Sequence, residues 1–142
     1  MVHFPPAAKA GVRVMSLIVQ KYGGSSVADA EKIMNVARRV AKSSDAGNQV
    51  VVVVSAMGDT TDDLIKLSRK INPEPEERDM DMLLSTGEMV SSTLLTMALT
   101  RLGQKAVSLS GAQAGIETDF NHGRARINRI NPNLKKLNIN RK

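Results

Sequence analysis

Five consecutive valines, Val50 to Val54, constrain the fold of this chain more than any other feature. β-Branched side chains are stiff and suit an extended backbone. An unbroken apolar run of this length predicts a strand covered on both faces, as a parallel sheet requires. An earlier run, Leu17-Ile18-Val19, predicts a first strand from about Ser16 to Gln20. Between them, Val27, Ala30, Ile33, Met34, Ala37, Val40 and Ala41 recur at helical spacing. Ser26 and Asp29 outline a capping box at the start of that helix, and Gly47 is a stop signal at its end. Strand, helix, strand over this length reads as a right-handed parallel crossover. Both strands then end on one side of the sheet, where ligands of open parallel sheets bind.

The first of those strand ends reads Lys21-Tyr22-Gly23-Gly24-Ser25-Ser26. Paired glycines let a backbone approach a ligand closely, helix amides favour anions, and Lys21 adds a full positive charge. The spacing matches neither of the two common nucleotide fingerprints, so by itself the turn is equally a tight connection. The second strand end, Ser55-Ala56-Met57-Gly58-Asp59-Thr60-Thr61, leads into another helix that Thr60 or Thr61 can cap. Asp62 and Asp63 in its first turn suit the helix dipole. Arg38 and Arg39 read as a solvated face of the first helix.

Asn72-Pro73 stops the helix that starts near Thr60, and Glu74-Pro75-Glu76-Glu77 reads as an exposed loop. A long helix from about Arg78 buries Met82, Leu83, Val90, Leu94, Leu95, Met97, Ala98 and Leu102. Ser85-Thr86-Gly87-Glu88 interrupts its apolar pattern, either as a solvent-facing polar turn or as part of a site. Gly103 ends the helix, Ala106 to Leu109 predicts a third strand, and Ser110-Gly111-Ala112-Gln113-Ala114-Gly115 is a third loop of small residues. Three such strand ends suggest a shared pocket.

Composition narrows the function classes. Aromatic residues make up 2% of the chain, which leaves Phe4, Tyr22 and Phe120 as the only base-stacking candidates. The net charge of +6 comes from the end of the chain: seven basic and no acidic residues follow from Arg124, and residues 1–123 carry −1. A solvated basic tail is the expected reading, and a nucleic-acid arm the one set against it. The absence of cysteine excludes disulfides and thiolate metal sites and fits the cytoplasm. Residues 1–14, with Pro5 and Pro6, read as a disordered extension, and Met15 as an alternative start. No apolar run is long enough for a signal peptide or a membrane span.

Four stretches together resemble one family. Val19 to Val27, Val53 to Asp62, Leu84 to Glu88 and Ser110 to Gly115 look like the amino-terminal part of bacterial aspartate kinases, within the amino acid kinase fold. The resemblance runs from about Met15 to Pro132. It implies an α/β fold, a three-layer αβα sandwich with a mainly parallel sheet, incomplete here. The domain portion would be 15–131, followed by a divergent basic tail, 132–142. It also implies phosphoryl transfer from ATP to the side-chain carboxylate of L-aspartate, giving 4-phospho-L-aspartate. By resemblance, Lys21 is the catalytic group and neutralises the transferring phosphoryl. Lys21, Tyr22, Gly23, Gly24 and Ser55 would face ATP, while Ser25, Thr61 and Glu88 would hold aspartate, Glu88 through its ammonium. Mg2+ would arrive with the nucleotide phosphates and has no assigned protein ligand.

The family's later Gly-Arg-Gly-Gly-Ser-Asp loop, its adenine-binding segment and its regulatory domains have no counterpart in this sequence. The chain therefore reads as a truncated or frame-shifted product or a fragment, with weak activity or none. No nucleic-acid or membrane partner is expected. Association with itself or with full-length kinase subunits is the alternative role.

Overall fold

A computed structural model of the chain describes residues 2–4 and 16–131. A four-stranded sheet has the order β2-β3-β1-β4, built from β1 (Val2–Phe4), β2 (Leu17–Tyr22), β3 (Gln49–Val54) and β4 (Lys105–Val107). β2 and β3 are parallel in a continuous register from Leu17 opposite Gln49 to Tyr22 opposite Val54. β1 is antiparallel to both β3 and β4, so β2, β3 and β4 share one direction. The helices are α1 (Ala30–Asp45), α2 (Thr60–Ile71) and α3 (Glu77–Arg101), and a small hairpin follows from β5 (Ile116–Thr118) and β6 (Ile127–Ile130).

The valine run is a strand, as its composition demands, but only one of its faces lies in the core. Val50 and Val52 are fully buried with Val27 and Val40 of the α1 side and Leu95 and Leu99 of α3. Fully burying one such side chain contributes about 1.5–3 kcal/mol. On the opposite face Leu17 is 66% exposed, Val19 64% and Val53 47%. The expected cover on both faces is therefore absent among the described residues: α1 and α3 form one layer, and no helix lies over Leu17, Val19 and Val53. The α/β class holds, as an incomplete domain in which three of the four strands of the sheet share one direction.

Local signals explain most boundaries. Asp29, not Ser26, caps α1: its carboxylate accepts from the Lys32 amide at 2.8 Å. Gly47 and Gly103 take positive φ of 87° and 77° just past α1 and α3, angles that a side chain would strain. α2 ends before Asn72, whose amide still reaches the Ser68 carbonyl at 2.8 Å. α2 has no buried residue and packs along α3. α3 is long and apolar enough to cross a membrane, yet Leu95, Ala98 and Leu99 on its inner face are core residues of this domain.

Other findings also depart from the sequence reading. Met82, Val90, Leu94 and Met97, expected to be buried on α3, are exposed, because the helix buries only Gly87, Ser91, Leu95, Ala98 and Leu99. Val2–Phe4, expected to be disordered, form β1 between β3 and β4, two strands that do not pair with each other. Their unpaired edges provide backbone partners for an inserted segment, which outweighs the loop composition around it. Ser85-Thr86-Gly87-Glu88 does not break the helix, because α3 runs through it without interruption. The hairpin β5–β6 was not foreseen, since its strands are short and exposed. Residues 5–15, and the expected basic tail 132–142, lie outside the described residues.

Candidate active site

Close backbone approaches bring the three motif segments together at the carboxyl ends of β2 and β3. The β2–β3 ladder is prolonged by the Ser55 amide donating to the Tyr22 carbonyl at 3.1 Å. The chain after β2 then makes a 3-10 turn, Gly24–Val27, and the Gly58 amide donates to the Gly24 carbonyl at 3.1 Å. A Cβ at Gly24 would stand 2.7 Å from the Ala56 carbonyl oxygen. From the other side, a Cβ at Gly87 of α3 would stand 2.8 Å from the Ala56 Cβ and 3.7 Å from Thr60 Cγ2. Ala56, only 4% exposed, is thus held between Gly24 and Gly87. No residue larger than glycine fits at either position without movement, which gives a packing reason for the glycine inside α3.

This clasp positions the predicted residues. Ser25, Ser55 and Glu88 each sit one residue from a member of it, and Thr61 follows Thr60, which stands 3.7 Å from a Cβ at Gly87. Lys21 lies on the open face of the sheet, opposite Val53 in register. Glu88 borders Val51–Val54 from the α3 side. Lys21 and Glu88 therefore flank the end of β3 from two directions, and no ion pair joins them. Among the described residues, the side chains of Lys21, Ser25, Ser55, Thr61 and Glu88 have no hydrogen-bond or ion-pair partner, so their polar groups remain available to a ligand.

Two expected features are arranged differently. Tyr22 turns its ring to the covered face, packs against the core, and donates its hydroxyl to Gln20 Oε1 at 2.9 Å. Burial raises its pKa above the usual 10.0, and the nearby Arg39 charge partly opposes this. Only its backbone is left to face the cleft. The amino end of α1 is not aimed at the glycine turn either: the Asp29 carboxylate already occupies it, so its dipole is spent on that cap. At α2, Thr60 Oγ1 donates to the Met57 carbonyl at 2.6 Å, and Asp59 is the N-cap without a side-chain bond.

The third strand end joins the site through a cavity of about 650 Å³. Val51–Val54, Ser85, Glu88 and Met89 line one side, and Leu109, Ser110, Gly111 and Ala114 the other. Ile116 and Ile130 of the hairpin close one end. The hairpin had no strong strand signal. The turn before it is pinned by Gly115, at φ 82°, whose carbonyl accepts from the Asn131 amide at 2.8 Å.

Comparison with known proteins identifies the family. The model of the amino acid kinase family matches residues 16–140.

The chain belongs to the amino acid kinase family.

Within that family it is 57% identical over 118 residues to an aspartokinase from Mycolicibacterium smegmatis, covering 83% of this chain and 28% of that protein. It is 58% identical over 116 residues to an aspartokinase from Geobacillus stearothermophilus, covering 82% and 28%. A crystal structure of aspartate kinase from Synechocystis superposes with a TM-score of 0.68 at 55% identity, over 71% of this chain and 17% of that one. The chain thus spans little more than a quarter of the curated relatives it matches. β1 lies outside the residues that the family model matches.

Proposed function

We propose that this chain supplies the phosphate-facing and aspartate-facing part of an aspartate kinase site. The reaction is transfer of the ATP γ-phosphoryl to the side-chain carboxylate of L-aspartate, giving 4-phospho-L-aspartate. The product serves synthesis of lysine, threonine and methionine, in the cytoplasm. The observation that carries this reading is the Gly24–Ala56–Gly87 clasp, which gathers motif segments distant in sequence at one end of a parallel sheet.

The acceptor carboxylate, with an ordinary pKa near 3.9, is already ionised at neutral pH and needs no base. The barrier lies in bringing one anion up to another, so the site must supply position and positive charge. Lys21 is the catalytic group, neutralising the moving phosphoryl. The backbone of Tyr22, Gly23 and Gly24, with the Ser55 hydroxyl, faces the nucleotide phosphates, and Mg2+ comes with ATP. Ser25 and Thr61 hydrogen-bond aspartate, and Glu88 receives its ammonium.

The same geometry leads us to expect weak activity in the isolated chain. Lys21 stands on an uncovered sheet face. A charge pair at 4 Å is worth about 1 kcal/mol in water and about 4 kcal/mol at the edge of a protein interior. Calorimetric titration of the purified chain with MgATP tests the reading. Weak binding that disappears in Lys21→Ala is expected, with little acyl phosphate trapped by hydroxylamine. Binding unchanged by Lys21→Ala refutes the assignment of the phosphate site.

A further inference from the structure

One face of α3 carries a row of polar side chains from its first turn to its middle. Glu77, Asp81, Ser85, Glu88 and Ser92 recur there at intervals of three and four residues. The β5–β6 hairpin lies along that row. At its base, Ile116 and Ile130 border the cavity that Ser85, Glu88 and Ser92 line from the helix. At its tip, the Gly123 amide donates to Asp81 Oδ2 at 2.9 Å, and His122 Nδ1 stands 3.3 Å from the same oxygen. The Glu77 carboxylate also lies against the tip: a Cβ at Gly123 would stand 3.2 Å from its Cδ and 3.4 Å from each oxygen. Among the described residues, Asp81 is the one hydrogen-bonding partner that residues 119–126 have outside the hairpin. Apolar packing does little to hold the hairpin, since both of its strands are exposed throughout.

We propose that the hairpin is a strap over the Glu88 side of the cavity, fastened at its tip by a latch that protonation of His122 tightens. Asp81 is the catch, and His122 sets its strength. With His122 neutral, the Gly123 amide holds the Asp81 carboxylate, and an Nδ1–H tautomer adds a bond from an uncharged donor. With His122 protonated, the same contact is an ion pair, and histidine is the side chain that gains charge between pH 8 and pH 5. The groups that face the latch from α3 are the carboxylates of Asp81 and Glu77, while Arg78 is turned to Asp79 at 3.9 Å. On the loop itself, the Asp119 carboxylate accepts from the amides of Asn121 and Arg126, and the Arg124 and Arg126 side chains are exposed. The His122–Asp81 pair is itself nearly half exposed, so protonation should raise the closed-to-open ratio only about two- to fivefold, and salt should screen the gain. At the other end, the bond from the Asn131 amide to the Gly115 carbonyl keeps the two strands together as the strap lifts. The inference uses contacts among residues 77–131 and not the catalytic roles given to Lys21 or Glu88.

Hydrogen exchange at the Gly123 amide, followed by NMR in the full 142-residue chain, reads the latch once the intrinsic pH dependence of exchange is divided out. Protection should rise about two- to fivefold from pH 8 to pH 6, and added salt should remove most of the rise. The Asn131 amide, at the base of the hairpin, should show no such rise, which separates the latch from the stability of the whole fold. His122→Asn should abolish the pH dependence, and His122→Lys should keep the higher protection at both pH values. Access to the cavity is read separately. The chain has no cysteine, so Ser92→Cys places a single thiol on the helix side of the cavity. At one fixed pH, its reaction with N-ethylmaleimide should be at least about threefold faster when Asp81→Ala is added. If the alanine variant loses helical circular dichroism, Asp81→Asn, which keeps the shape and removes the charge, takes its place. Equal Gly123 protection at pH 8 and pH 6, or a rise that persists in His122→Asn, overturns the latch. A thiol whose rate ignores the change at Asp81 overturns the strap, because the hairpin then does not cover the cavity.

Discussion

Val52 and Val53 are neighbours in one strand with identical side chains, and they live in different surroundings. Val52 points into a layer shared with α1 and α3, while Val53, on the other face, is 47% exposed. The alternation of a strand assigns the two to opposite faces, and only packing decides what each face meets. The difference shows where the stability and the chemistry of this chain reside. The covered face holds the fold together. The open face carries Lys21, the charge that the proposed phosphoryl transfer would use, and leaves it exposed.

The sharpest test of that contrast is a pair of truncations. Leu95→Ala removes a fully buried side chain between α3 and the sheet and should cost about 2–5 kcal/mol. Val19→Ala, on the open face, should change stability by less than about 0.5 kcal/mol. Urea unfolding of the two variants measures both. Equal losses would mean that the open face is covered in solution.

The sequence reading succeeded where one signal had one structural outcome. The valine run, the helical spacing of α1, and the stops at Gly47, Asn72 and Gly103 all concern local backbone choices. It fell short where the outcome depends on distant partners. The valines promised two covered faces because composition cannot say whether the second layer is present. Val2–Phe4 carry no strong strand pattern, and become a strand only because β3 and β4 leave a gap. Gly87 looked like a weak point in a helix, whereas its role is set by Ala56, thirty-one positions earlier, which no spacing rule connects to it. The candidate site was legible as four segments of unusual chemistry; the clasp that brings three of them together was not.

The clasp is the seam between the two faces, and the two glycines at the end of β2, of which only Gly24 belongs to it, should behave differently. Gly24→Ala drives a Cβ against the Ala56 carbonyl and should destabilise by about 1–3 kcal/mol. Gly23→Ala meets nothing within 4 Å, and its φ of −76° suits any residue, so its effect should stay within about 0.5 kcal/mol. Thermal melts of the pair separate a packing role from a merely flexible turn. If both variants lose stability alike, the approach of the second loop to Gly24 is not the constraint. A smaller loss, about 1 kcal/mol, is expected for Asp29→Ala, which frees the Lys32 amide at the start of α1. That variant should leave MgATP binding unchanged, because the cap faces away from the cleft.

The smallest effect contrasts adjacent residues on opposite faces. Lys21 projects from the open side, while the Tyr22 ring lies on the covered side, where burial holds its hydroxyl proton more tightly than in the unfolded chain. Between the unfolded value of 10.0 and the higher folded one, the folded chain binds more protons. Stability contributed by this group is therefore complete below pH 10 and declines as pH rises through the folded pKa. Tyr22→Phe removes the titrating group and should flatten the difference in urea midpoint between pH 9 and pH 11. The variant also loses the bond to Gln20, so its midpoint at pH 9 is the reference for its own slope. An unaltered slope would place the Tyr22 hydroxyl in water, on the side of the sheet where Lys21 lies.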